Sequence, residues 1–239
     1  MLFRKAVLVV HGFAGGIYDE QSIIDELQLS RVLDVFSYTL PGHERNFSKV
    51  SYEEWIAFSE KKVEWLISKG YSTIYILGHS MGGVISCHLA CKYPQIKKIV
   101  LAAPAFYYLK SDETNTNVIE SVKDFPKILK TYGFQEIFDK ALKLNIGAVS
   151  ELRKLVTKYH STPQNIKVPI MILQGSNDSI VPDKSSLYVY ENVKSNVRRL
   201  VLIDGATHDI FRDKKCDEIN KLIKDFLLHP KRGKKVIEI

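Results

Sequence analysis

The stretch YILGHSMGGVI, residues 75–85, sets Ser80 between Gly78 and Gly82 in a G-x-S-x-G pattern flanked by apolar runs. A serine hydroxyl attacks a carbonyl only when a base takes its proton. The pattern therefore asks for a histidine, and for an acid to orient that histidine. His208 lies in IDGATHDIF, just after a predicted strand over 197–204. Asp178 lies in LQGSNDSIVP, just after a predicted strand over 169–175. Its rivals are Asp183, better suited to capping a helix, and Asp204 and Asp209, which stand beside the histidine. Of the other histidines, His79 is inside the motif and its side chain is expected to point away from that of Ser80. His88 falls on a predicted helix and His229 near the tail, so both read as structural or exposed. His160 has no assigned role.

An attacked ester carbonyl becomes an oxyanion, which needs N–H donors aimed at it. Met81 opens the helix after the motif, where backbone N–H groups lack helical partners. Its N–H is one candidate donor. The second is the N–H of Phe13 in VVHGFAGG (9–16), where Gly12 permits close approach and Gly15 and Gly16 shape the following turn. The same glycines do not make a phosphate loop, because the spacing differs and the required lysine is missing.

These residues need a scaffold that brings distant loops together. Short apolar strands are predicted at 5–10, 34–40, 72–78, 96–103, 169–175 and 197–204. Helical patterns occupy 17–30, 51–70, 81–94, 183–194 and 215–229. Ser51 with Glu54 forms a capping box at the start of the second helix. Strands alternating with helices imply a mostly parallel sheet of about six strands, covered on both faces. The fold class is α/β. Residues 105–165 interrupt this rhythm with helix-like, charged and aromatic sequence. They read as a small lid insertion within one domain spanning 1–239. Phe106, Tyr107 and Phe134 are the lid candidates for substrate contact.

The chain has 239 residues, 45% hydrophobic and 26% charged, enough for one large domain. Its net charge of +7 is spread along the chain except in HPKRGKK, 229–235, which reads as a frayed basic tail. No concentrated basic face or nucleic-acid motif is present, so a nucleic-acid partner is not expected. Cys87, Cys91 and Cys216 give an odd count without metal or redox spacing. Cys87 and Cys91 read as small buried apolar residues on one helix face. No run is long enough to span a membrane, and the N-terminus lacks a signal-peptide pattern. A cytoplasmic location is inferred. No metal or cofactor is expected, and oligomeric state is left open.

The segments HGFAGG, LPGHE, GHSMGG, QGSNDSIVP and DGATH together resemble the α/β-hydrolase superfamily, most closely its bacterial carboxylesterases and monoacylglycerol lipases. The order Ser80, Asp178, His208 fits that superfamily, unlike the orders in chymotrypsin and subtilisin. The resemblance implies Ser80 as nucleophile, Asp178 as acid and His208 as base, with Phe13 and Met81 as oxyanion donors. Glu44 stands where the family's P-G-H-G turn has its last glycine, which leaves the role of His43 open. The chain begins at what resembles the family's third strand, implying a reduced, wholly parallel sheet. The implied function is hydrolysis of short-to-medium acyl esters, monoacylglycerols included, with a small-molecule ester as partner and no stable membrane insertion. A thioesterase or carbon–carbon bond hydrolase would use the same triad. A non-catalytic ligand receptor on this scaffold is the alternative of another class. Ser80 argues against a haloalkane dehalogenase, which needs aspartate at the elbow.

Overall fold

Runs rich in valine, isoleucine and leucine become strands here because a parallel sheet buried on both faces has no polar side to fill. The computed structural model describes residues 4–43, 48, 50–107, 146–229 and 233–239. Among these, seven strands form one sheet: β1 (Lys5–Val10), β2 (Leu33–Tyr38), β3 (Ile74–His79), β4 (Ile96–Ala102), β5 (Ile170–Gly175), β6 (Val197–Ile203) and β7 (Gly233–Glu238). Their spatial order is β2-β1-β3-β4-β5-β6-β7. Every neighbouring pair is parallel, as expected.

Among the described residues, six helices cover the sheet: α1 (Gln21–Gln28), α2 (Tyr52–Ser68), α3 (Met81–Lys92), α4 (Ile146–Tyr159), α5 (Asp183–Asn192) and α6 (Cys216–Leu228). Alternate strand residues face opposite layers. Leu8, Val10, Ile74 and Ile76 pack with Trp55, Val63, Val84, Leu89, Leu155 and Val189, from α2 to α5. Val7, Val9 and Leu77 pack instead with Ile23 and Leu27 of α1 and Ile219, Ile223 and Phe226 of α6. The predicted capping box at α2 is present, with the Ser51 hydroxyl accepting from the Glu54 amide at 3.3 Å.

The structure departs from the sequence reading in several places. The tail is no frayed end, because residues 233–238 form β7 beside β6, with Ile237 and Ile239 packed on the core. The expected helix over 17–30 opens with a 3-10 turn, Ile17–Glu20, before α1. Cys87 is buried but Cys91 is exposed. Asp183 is the first residue of α5 rather than its cap, and its Oδ1 accepts from the Lys184 amide at 2.7 Å. Within the expected insertion, α4 packs on the core through Leu152, Leu155 and Val156. The stretch 108–145, with Phe134, lies outside the described residues.

The strand order reverses between β1 and β3, since the chain leaves β1 toward β2 and returns to the other side. Parallel sheets open a crevice at the carboxyl ends of the strands at such a point. Phe13 follows β1 and Ser80 follows β3, so the topology alone sets them side by side.

Candidate active site

Ser80 occupies the single residue between β3 and α3, with φ 53° and ψ −116°. Positive φ is costly for any residue with a Cβ. Local bonds hold it there: the Ser80 amide donates to Ala102 at 2.9 Å, and its carbonyl accepts from Gly83 (2.9 Å) and Ala105 (3.1 Å). The flanking glycines are steric requirements. A Cβ at Gly78 would strike the Ser86 hydroxyl and the Gly82 carbonyl, and one at Gly82 would strike the carbonyls of Val10 and His11. Among the described residues, the non-glycine positions with positive φ are Ala14, Ser80 and Ala103, which follow β1, β3 and β4. Strain of this kind gathers at functional sites, and here it gathers at the reversal of strand order.

Asp178 and His208 meet although 30 residues separate them. Nδ1 of His208 lies 2.8 Å from Oδ2 of Asp178. The other carboxylate oxygen, Oδ1, accepts from the amides of Ile180 (2.9 Å) and Val181 (2.8 Å). Burial pushes the Asp178 pKa up. The His208 hydrogen bond and charge, with the Val181 and Ile180 amides, outweigh burial and hold it below the ordinary value. The acid is thus ionised, fixed at both oxygens, and faces one nitrogen of the imidazole. That leaves Nε2 of His208 as the nitrogen able to exchange a proton. Of the candidate acids, Asp178 is thus the one whose carboxylate meets the His208 ring.

The loop after β1 carries Gly12 and Phe13. A Cβ at Gly12 would lie 3.2 Å from the Cβ of Ser80, so this loop passes directly against the elbow. Met81 begins α3, and its N–H has no carbonyl one helical turn before it. Phe13 packs edge-on against His43 and Trp55. Asp19, in the 3-10 turn, accepts from the Gly16 amide at 3.0 Å and pairs with Arg212 at 2.7 Å. That pair joins the β1 loop to the loop carrying His208.

The other histidines separate clearly. His88 pairs with Glu60 at 2.7 Å, joining α3 to α2. His229 is exposed beside Asp225. His160 stacks on Tyr188 at 4.6 Å and meets the edge of Tyr107 at 5.2 Å. Phe106 packs within the core, and the Tyr107 amide donates to Ser185 at 2.9 Å. Sequence reasoning missed two groups beside the site. Glu20 is buried and bonds to His79, and His79 also reaches the backbone of His208. No metal-holding cluster of His, Cys, Asp and Glu occurs among the described residues.

A family profile described as serine aminopeptidase, S33, matches residues 3–215. The chain belongs to the Hydrolase_4 family. It is an α/β-hydrolase, as its motifs suggested. A Hydrolase_4 chain of this kind is similar to the carboxylesterase of Bacillus subtilis (strain 168), 26% identical over 235 residues and covering 93% of this chain and 92% of that protein. It is similar to the thermostable monoacylglycerol lipase of Bacillus sp. (strain H-257), 24% identical over 208 residues, with 84% and 82% covered. The monoacylglycerol lipase structure from Paleococcus ferrophilus superposes with a TM-score of 0.71 at 22% identity, covering 93% of each chain. That likeness shows the Hydrolase_4 chain to share its fold. Among the described residues, no helix is long and apolar enough to cross a membrane.

Proposed function

We propose that this Hydrolase_4 member is a carboxylic ester hydrolase that works through an acyl-enzyme on Ser80. Ser80 Oγ attacks the ester carbonyl while Nε2 of His208 takes its proton. The ionised Asp178 holds the Nδ1–H tautomer and stabilises the imidazolium that forms. The N–H groups of Phe13 and Met81 receive the oxyanion, each worth roughly 3 kcal/mol by comparison with other serine hydrolases. His208 then protonates the departing alcohol. Water, activated by the same imidazole, releases the acid and restores Ser80.

The observation that carries this reading is the 2.8 Å contact between His208 Nδ1 and Asp178, set beside a serine held at positive φ on a strand-to-helix turn. A serine held only for its small size would need neither. The names of the relatives support an ester as substrate. Short-to-medium acyl esters, monoacylglycerols included, are the proposed class, and residues 105–165 the proposed lid.

An acyl-length series of p-nitrophenyl esters, run on wild type and Ser80→Ala, tests chemistry and pocket together. Turnover of the esters by wild type, loss in Ser80→Ala, and fluorophosphonate labelling of Ser80 are expected. Residual turnover at the wild-type rate in Ser80→Ala would overturn the mechanism. Turnover of aminoacyl p-nitroanilides with no turnover of any ester would overturn the substrate class.

A further inference from the structure

His79 precedes the elbow serine, and its ring is buried between two acceptors. Nδ1 lies 3.0 Å from Oε1 of Glu20, and Nε2 lies 3.1 Å from the carbonyl oxygen of His208. A carbonyl oxygen cannot donate, and neither can an ionised carboxylate. A neutral imidazole donates from one nitrogen only, so it would turn a lone pair toward one of these oxygens. A ring protonated at both nitrogens satisfies both.

The surroundings favour that state. Glu20 has no solvent exposure and comes from the 3-10 turn after β1, while His79 ends β3. The His79 ring lies against the His208 ring, centroids 5.0 Å apart, and meets the edge of Phe211 at 5.9 Å. The charged or titratable groups facing it are Glu20, His208 and Asp209, with His11 on the β1 side. Burial alone would lower its pKa. The bond and charge of Glu20, the His208 carbonyl and the charge of Asp209 outweigh burial and raise it. Glu20 also balances the added charge, so a protonated His79 brings no net positive charge beside the base.

We propose that His79 is a positioning residue: held as an imidazolium by Glu20, it fixes the His208 carbonyl and thereby sets how the His208 ring is presented to Ser80. The inference rests on the reading of His208 as the base. Displacing a catalytic group by about 1 Å can cost on the order of a hundredfold in rate, so a backbone anchor at the base itself is a sensitive control. The anchor reaches across the sheet's reversal of order, from β1 through β3 to the loop after β6.

The ring state is read directly by NMR of wild-type protein labelled with nitrogen-15 histidine, the signals assigned by their loss in His79→Phe. In a pH series run through the ordinary histidine value of about 6.5, both His79 nitrogens are expected to keep protonated shifts above that value. Glu20→Gln should abolish that signature, because its amide can donate to Nδ1 of a neutral ring. His79→Phe should lower kcat at least tenfold with KM within about twofold. Glu20→Leu should lose more kcat than Glu20→Gln, since leucine offers Nδ1 nothing. A neutral His79 in the wild-type spectrum overturns the proposal, and so does wild-type kcat in His79→Phe accompanied only by a lower melting temperature. If His79→Phe does not fold, the Glu20 variants and the wild-type pH series still decide. Undiminished turnover in Ser80→Ala would remove the ester mechanism instead, and the ring-nitrogen spectrum would report on His79 regardless.

Discussion

Nδ1 of His11 lies 2.7 Å from the carbonyl oxygen of Gly12, while Nε2 of the same ring accepts the Leu40 amide at 2.9 Å. The accepted N–H leaves Nε2 bare, so the proton sits on Nδ1 and donates to Gly12. Burial, the largest influence, lowers the His11 pKa and keeps this neutral form. The Gly12 carbonyl and the Phe13 N–H belong to one trans peptide, and they point in opposite directions. By gripping the carbonyl, His11 aims the N–H proposed to receive the oxyanion. His11→Phe keeps the bulk and loses the grip. Its kcat toward a p-nitrophenyl ester should fall roughly 10–100-fold with little change in KM, somewhat less than loss of a whole donor. A raised KM at unchanged kcat would instead mean that Phe13 holds the ground state and the transition state equally.

Asp178 offers a second test, because its two oxygens do different work. Oδ2 faces His208, and Oδ1 is held by two backbone amides. Asp178→Asn keeps the shape but can present an amide N–H toward His208, favouring the wrong tautomer. The kcat should drop on the order of 10⁴-fold, as in other serine hydrolases with this change. The folded pKa of Asp178 is depressed. Its stabilising contribution is therefore present above the ordinary carboxylate value and is lost as pH falls through the lower, folded value. Denaturant melts of wild type and Asp178→Asn should converge at acid pH.

How much was legible in the sequence depends on distance along the chain. Ser80, Asp178 and His208 stood out as candidates because each lies on the loop or turn that follows a strand, and parallel strands deliver such residues to one rim. The Glu20–His79 bond was not, because it joins residues 59 apart and neither sits in a recognisable pair. His11 stood within the HG pair, yet its partner Leu40 comes from the loop after β2. β7 was hidden by composition. Lysines at 234 and 235 read as a solvated tail, and the alternation that places Ile237 and Ile239 on the core is only one repeat long.

Acid should destabilise the fold through His43. Its ring lies 5.3 Å from Trp55 and 5.2 Å from His11. Burial first, and then His11, lower its pKa from 6.5 to about 4, against a smaller opposing bond to the Pro41 carbonyl. The unfolded chain takes up this proton near 6.5, and the folded protein only near 4. The contribution of His43 to stability is therefore constant above the first value and declines between the two, by about 3 kcal/mol in all. Urea melts across that range should show the loss, and His43→Phe should make it smaller, leaving the part that His11 contributes. An unchanged slope in the variant would assign the acid limb to other groups.

Gly82 is the position where the elbow admits least change. A Cβ there would meet the backbone carbonyls of Val10 and His11, the last of β1 and its successor. Backbone cannot rotate aside as a side chain can, so β1 and α3 would have to part. Gly82→Ala should cost more than about 2 kcal/mol and disturb Ser80 as well. Gly205→Ala is the matched control. Gly205 has φ +75° but open space around its Cβ position, so only backbone strain of about 1 kcal/mol applies. Equilibrium unfolding of the two variants, with fluorophosphonate labelling rates, separates the cases. Gly82→Ala should lose both stability and labelling, and Gly205→Ala a little stability alone. Equal losses in the two would mean that close packing of β1 against α3 is not what requires a glycine at 82.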